Sequence, residues 1–505
     1  MKHQLSDIQG LILSGYGDRP AAAYALFEIV DAVAARGWLK QTIDELQFGE
    51  YRGTKRSVAP HLKALCKNLA FTHAGLARLG LPTLTLNGFS LPFQEGMCEP
   101  SRARRLGDDR ESAPETWEWG NAKQRLHGVL SVFAGDVGDS AELTADNYKR
   151  ITTYIKSALN EEFGFRLVKQ LDATPSDPVY RREHFGFRDG IANPQFKSLP
   201  RAVDDDPIAE GEFVLGYANC YQKLPMSPQV PDGPGAAEAL DAGENPGRRD
   251  FGKNGSYLVF RQLRQDVPEF WRFVERAAKH VPDAPDGARG REWLAAKLVG
   301  RWPNGTALSV YPDSPGPIAQ EDEDDFLYGT AQDSFGTRCP IGSHIRRTNP
   351  RDTALPVPHD PELSGDPADE DTRNDRLKLT NRHRVLRRGR AYGPIVSHDC
   401  DPEVLRTTEI EQERGLYFLC FNANIERQFE FVQSNWALNP AFAGLSADPD
   451  PLLAASRTFP YTASDFTIQG CPTRRIHGLP RVVETRGGAY FFMPSRRALG
   501  YLASL

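Results

Sequence analysis

Two stretches of this chain share one order of apolar patterns, and that order limits the folds open to it. In the first, Gln9–Gly15 reads as a strand and Ala21–Ala35 as a helix, on the spacing of its Ala, Leu, Phe, Ile and Val, ending at Gly37. Leu69–Phe71 then reads as a strand, His73–Leu79 as a short helix and Gly128–Phe133 as a strand. Ala145–Leu159 follows as a helix capped by Thr144, and Phe165–Leu171 as a strand. In the second stretch Ser256–Gln262 predicts a strand, with Phe270, Trp271, Phe273 and Val274 on the helix behind it. Gly415–Phe421 leads as a strand into a helix over Ile425–Trp436, and Gly488–Met493 and Ser495–Leu505 give a last strand and helix. The order β-α-β-β-α-β places two helices on one face of an antiparallel sheet. What repeats is element order rather than sequence, and it divides the chain into units 1–225 and 226–505. Ser227–Asp250, Arg351–Asp375 and the acidic run Glu321–Asp325 read as solvated surface, the first as a linker or large loop.

Composition removes several classes. Of 505 residues, 40% are apolar and 25% charged, which excludes wholesale disorder, collagen and a small disulfide scaffold. A net charge of −6 argues against a nucleic-acid or anionic-membrane partner held by bulk charge. No apolar run approaches the ~18 residues of a membrane span. Ile8–Leu13 is too short for the apolar core of a signal peptide, so a cytoplasmic location is expected. The seven cysteines are scattered, with no CxxC or CxxCH, which points to reduced thiols and away from a zinc ribbon or covalently attached haem.

Three segments carry candidate chemistry. In His184–Gly190, two glycines flank Asp189 in a turn that permits close backbone approach to a flat ligand; Asp189 there is a capping, metal-binding or proton-transfer group. Cys339–Arg351 sets His344 in a Pro-bounded segment of small residues, followed by Arg346, Arg347 and Arg351. A neutral imidazole is a usual haem-iron ligand, and the arginines are candidates to pair with propionates. Arg384–Pro394 is a basic turn, solvated unless a guanidinium enters an apolar pocket.

Together these segments resemble the dye-decolorising peroxidase family. Its Gly-x-x-Asp-Gly hallmark is similar to Gly186–Gly190, its iron-ligand segment to Cys339–Arg351 and its arginine segment to Arg387–Gly393. The resemblance extends to Asp7–Gly10, Gly255–Trp271, Gly415–Gln433 and Tyr490–Ser495, in the family's order and over nearly the whole chain. It departs at Ala391, where proline is common, and in the long Arg351–Asp375 insertion. The family implies an α+β fold of two ferredoxin-like domains, of the dimeric α+β barrel type, with antiparallel sheets and peripheral helices. It implies a peroxidase with non-covalent haem b, using hydrogen peroxide and aromatic electron donors such as dyes and phenols, with a homo-oligomer allowed.

Carried over residue by residue, His344 is the iron ligand, Asp189 the distal acid–base group and Arg387 the distal arginine, with Arg388 its rival. Leu416 and Phe418 line the distal side on one face of a strand. Asp450, ahead of Asp448, accepts the proximal imidazole N–H. Trp436, Trp302 and Tyr417 are core residues or electron-transfer sites. Competing readings are haem processing or a haem carrier on the same pocket, and a metallohydrolase using His344, His383 and His398, which lacks an HExxH motif.

Overall fold

The computed structural model describes residues 2–49, 65–136, 139–175, 181–196, 208–282, 284–317, 324, 326–329, 333–353, 370–398, 400–409, 411–453 and 464–505. One nine-stranded sheet organises them. Its strands are β1 (Ala21–Ile29), β2 (Cys66–Phe71), β3 (Gly128–Ala134), β4 (Phe165–Asp172), β5 (Ser256–Gln265), β6 (Leu386–Arg387), β7 (Arg390–Tyr392), β8 (Gly415–Asn422) and β9 (Val483–Met493). The hydrogen-bonded order is β4-β1-β3-β2 in the first half and β9-β5-β8-β6 in the second, with β7 also on β8. With β6 and β7 taken as two pieces of one strand, both halves run fourth-first-third-second, every pairing antiparallel. Helices Ala32–Thr42 and Ala141–Ala158 fill the helical slots of the first half, and Val267–Ala278 and Glu426–Ala437 those of the second. This is the ferredoxin-like arrangement twice over.

Two seams join the halves. At one, β2 and β9 share a single paired position, Phe71 with Phe492. The buried Gln9 amide completes it: Nε2 donates to Leu69 O at 2.8 Å and Pro494 O at 2.9 Å, and Oε1 accepts the Leu69 amide at 2.8 Å. At the other seam, just past β4, the Thr174 amide donates to Ala391 O of β7 at 2.8 Å and its hydroxyl to Gly393 O at 2.5 Å. With both seams made, the sheet closes on itself. Ala22, Tyr24 and Leu26 of β1 face inward with Phe133, Phe260, Tyr417 and Phe491. Ala21, Ala23, Ala25 and Phe27 face outward onto Trp38, Leu39, Ile151 and Ile155.

Several local expectations are corrected. Ala21–Ala35 divides into strand β1 and the start of helix Ala32–Thr42, capped by Asp31. Both faces of β1 are buried, so its sequence AAAYALFEI lost the polar alternation that marks a strand. Gln9–Gly15 is a helical turn over Gly10–Leu13, not a strand. Ser140, not Thr144, caps the Ala141–Ala158 helix. Ser227–Asp250 is built around a short helix, Pro234–Ala239, and a ribbon pairing Gln229–Pro231 with Arg248–Asp250. Of Glu321–Asp325 only Asp324 is described, and it ion-pairs with Arg301 at 2.8 Å and Arg351 at 2.5 Å. Most of the Arg351–Asp375 stretch, residues 354–369, lies outside the described residues. No helix among the described residues is long and apolar enough to cross a membrane.

Replacing Gln9 with Leu strands the Leu69 amide and carbonyl and the Pro494 carbonyl in a dry seam. The expected loss is about 2–4 kcal/mol, read as a lowered denaturant midpoint at constant slope; an unchanged midpoint contradicts the role of the amide.

Candidate active site

His344 opens a short helix, His344–Thr348, with Ser343 before it. The Ser343 hydroxyl donates to Lys297 O at 2.6 Å, docking this turn on helix Ala288–Val299. The approach is close enough to require glycine at 300, where φ is +100° and a Cβ would lie 2.5 Å from Ile345 Cγ1. His344 Nδ1 lies 2.9 Å from Asp450 Oδ2. Asp450 is fully buried, and its other oxygen accepts the Leu452 and Leu453 amides, both at 2.9 Å. Burial alone would raise the Asp450 carboxyl; the His344 ring, these amides and Arg347 outweigh it and hold it below its ordinary value. An ionised Asp450 accepts a hydrogen bond from Nδ1–H, which leaves Nε2 with its lone pair for a metal. Asp448 is equally buried but does not meet the imidazole.

The arginines after His344 bind protein rather than a ligand's carboxylates, which corrects the propionate reading. Arg346 donates to Asp333 and to Cys339 O. Arg347 donates to the carbonyls of Gly342, Trp436, Asn439 and Asp448. Arg351 reaches Asp324 and the Phe326 carbonyl. Such a set of acceptors anchors the helix from below and leaves the imidazole at its open end.

Asp189 comes from the first half of the chain. Glu183 holds its turn: Oε2 accepts the Phe185 amide at 2.9 Å and Gln265 Nε2 at 2.6 Å, and Oε1 accepts the Phe187 amide at 2.9 Å. Gly186 sits at φ +97°, and a Cβ there would lie 2.2 Å from Cys400 Sγ. His184 Nε2 donates to Tyr392 O of β7 at 2.8 Å, beside the Thr174 seam. Asp189 Oδ1 accepts the Gly190 amide at 2.6 Å and lies 3.9 Å from Arg387 Nη2.

Strand alternation separates Arg387 from its neighbour. Arg387 pairs with Cys420 of β8, which puts it on the face shared by Leu416, Phe418 and Cys420. Arg388 turns the other way and donates to Leu11 O and Ile12 O, and Arg390 to Arg19 O and Tyr16 O. Leu416 and Phe418 are half-buried, whereas Tyr417 and Leu419 are buried inside the barrel. The sequence reading missed Asn193, whose Oδ1 accepts the Arg387 amide at 3.1 Å and ties Arg387 to the loop that follows Asp189. The Asn-Pro pair at 193–194 was its available signal. Trp302, Trp436 and Tyr417 are buried, at 2%, 5% and 4% exposure, which removes them as surface sites. His383 stacks on Phe431 at 4.0 Å and donates to Arg427 O.

A single segment connects the two sides. Lys297 and Gly300 hold the His344 turn, while Pro303 O accepts the Arg188 amide at 3.1 Å and Gly305 packs under Arg188 and Ile191. These side chains stay partly open: Asp189 is 55% exposed, Arg387 36% and His344 23%.

Comparison with known proteins fits this geometry. Residues 7–165 match the family described as the DyP dimeric alpha+beta barrel domain. The chain is 30% identical over 519 residues to dye-decolorizing peroxidase msp1 of Mycetinis scorodonius, covering 99% of this chain and 88% of that one. The chain belongs to the dye-decolorising peroxidase family. A bacterial member, multifunctional dye peroxidase DyP2 of Amycolatopsis sp., is 29% identical over 90% of this chain and 87% of its own. A solved ancestral D-type dye decolorizing peroxidase superposes with a TM-score of 0.75 at 29% identity, over 98% of both chains. A dye-decolorizing peroxidase solved in complex with 2,6-dimethoxyphenol superposes at 0.71 with 25% identity, over 99% of both. This member of the dye-decolorising peroxidases is thus a peroxidase on an α+β barrel scaffold.

Within it, burial pushes the Glu183 carboxyl up from 4.5 to about 7, against the pull of Gln265 and the two amides and with a smaller push from Asp189. A raised carboxyl binds its proton more tightly folded than unfolded, so its contribution to stability is full below pH 4.5 and is lost as pH rises through about 7. Glu183→Gln should flatten unfolding stability across that interval; a variant curve parallel to the parent's contradicts the assignment.

Proposed function

We propose that the chain is a cytoplasmic haem b peroxidase that reduces hydrogen peroxide and oxidises dyes, phenols and other aromatic donors. The observation that carries this reading is the pairing of His344 with Asp450 at 2.9 Å, connected through residues 297–307 to the turn that brings Asp189 to Arg387 at 3.9 Å. The donor set suits haem: one neutral imidazole with a free Nε2, a buried carboxylate behind it, and an apolar face made by Leu416 and Phe418. Non-covalent attachment agrees with seven free cysteines and no CxxCH. The relative in complex with 2,6-dimethoxyphenol supports a phenolic donor.

Bound haem supplies the redox centre that peroxide oxidises and electron donors reduce. His344 Nε2 is its ligand, and Asp450, by holding the Nδ1 proton, increases imidazolate character and donor strength at Nε2. Asp189 manages the peroxide protons. With Oδ1 held by the Gly190 amide, Oδ2 takes the proton of one peroxide oxygen and returns it to the other, readying that oxygen to leave as water; the two electrons that O–O cleavage takes up would come from the bound haem. The Arg387 guanidinium faces the charge that builds on the departing oxygen, and the hydrogen bond from the Arg387 main-chain amide to Asn193 Oδ1 keeps this residue at the carboxylate.

Asp189→Asn should retain haem with an unaltered Soret band while the bimolecular reaction with peroxide slows by about a hundredfold or more in stopped-flow; an unchanged rate contradicts the base role. His344→Ala should lose the parent Soret spectrum on haem reconstitution; a parent-like spectrum moves the ligand to another residue.

A further inference from the structure

Glu183 is absent from the proton and ligand chemistry above, yet it shapes the turn that presents Asp189. Its carboxylate accepts three N–H groups, two from the turn itself and one from Gln265, the last residue of β5. The backbone repeats the closure, with the Glu183 amide donating to Phe187 O at 2.9 Å and the Gly186 amide to Glu183 O at 2.8 Å. Two residues past the last of these bonds, the Asp189 amide donates to Arg181 O at 3.0 Å. Asp189 is therefore bracketed on both sides by a frame that Glu183 closes and that reaches the central strand of the other half.

The chemistry of the acceptor matters as much as its shape. Above about pH 7, where Glu183 is ionised, both oxygens of its carboxylate accept, so three donors are matched. A glutamine of the same size turns one oxygen into an NH2, which opposes a backbone N–H at Phe187 or both donors at Phe185 and Gln265. A second carboxylate beside Asp189, enclosed by donors, is also unfavourable by charge and desolvation, so shape alone does not account for it.

We propose that Glu183 is the positioning residue of the distal carboxylate, setting Asp189 through the 183–187 turn and tying it to β5 through Gln265. This rests on the reading of Asp189 as the peroxide base. Because small misplacement of a proton-transfer group is costly, the loss of Glu183 acts on the peroxide step and not on retention of haem.

The test is a double-mutant cycle on the haem-loaded protein, with Glu183→Gln, Asp189→Asn and both together, read as the stopped-flow rate with hydrogen peroxide. Glu183→Gln alone is expected to slow this step on the order of tenfold above about pH 7, with the Soret band and the separately measured electron-donation step from an aromatic donor unchanged. In the Asp189→Asn background it should produce no further slowing. In the haem-free protein, hydrogen exchange at the Phe185 and Phe187 amides should quicken in Glu183→Gln. Slowing of equal size in both backgrounds, or no slowing by Glu183→Gln where Asp189→Asn slows, overturns the proposal. No slowing by Asp189→Asn overturns the base reading itself. Should Glu183→Gln fail to fold, Gln265→Leu removes the tie to β5 alone; slowing that vanishes without Asp189 supports the proposal, and slowing that persists overturns it.

Discussion

Closure of the sheet between β4 and β7 is the constraint on which the site depends. Asp189 and Arg387 are almost two hundred residues apart in sequence and belong to different halves. Neither half alone brings them together. Thr174 bonds to Ala391 and Gly393, and His184 to Tyr392, so the chain on either side of the 176–180 segment meets the broken edge strand that carries Arg387. The same bonds, made just past the edge strand of one ferredoxin-like sheet to the edge strand of the other, help bring together a carboxylate and a guanidinium from the two halves of the chain. The seam at Gln9 does the corresponding work on the far side, where a side-chain amide replaces ladder bonds that a single paired position leaves unmade.

The scaffold places its charges by enclosing them. Arg346 and Arg347 are completely buried beneath His344, with main-chain carbonyls as most of their acceptors. Burial pushes the Arg347 guanidinium down to about 10, while Asp450 and Asp448 pull the other way. Buried guanidiniums with fixed acceptors add little net stability, but they hold the imidazole and its carboxylate in one orientation. The same logic runs through Glu183 and Asp450, both carboxylates with backbone amides as donors, one behind each side of the site.

The parts of this molecule legible in its sequence are those set by local chemistry. Gly186 and Asp189 are readable because a tight turn with positive φ needs its glycine where the sequence has one. The strands that keep a boundary signal, such as Gly128–Ala134 and Gly415–Asn422, were visible for the same reason. β1 was not, because burial on both faces erased its alternation and left alanines that also suit a helix. Gln9 could not be read as a seam residue, since its three partners lie at positions 69 and 494. The choice between Arg387 and Arg388 became clear only with the register of β8, which puts Arg387 beside Cys420 and sends Arg388 to the carbonyls of residues 11 and 12. The arginines after His344 misled for a related reason: a basic run looks solvated or ligand-binding until its acceptors, spread from Asp324 to Asp448, fold over it.

The proposed function requires an imidazole and a carboxylate to reach one cofactor from opposite faces. Anomalous diffraction at the iron edge from crystals of the haem-loaded protein tests this most directly. The account predicts one iron peak bonded to His344 Nε2, with Asp189 and Arg387 across the porphyrin plane. An iron peak on any other side chain, or His344 and Asp189 on the same side of the plane, contradicts it.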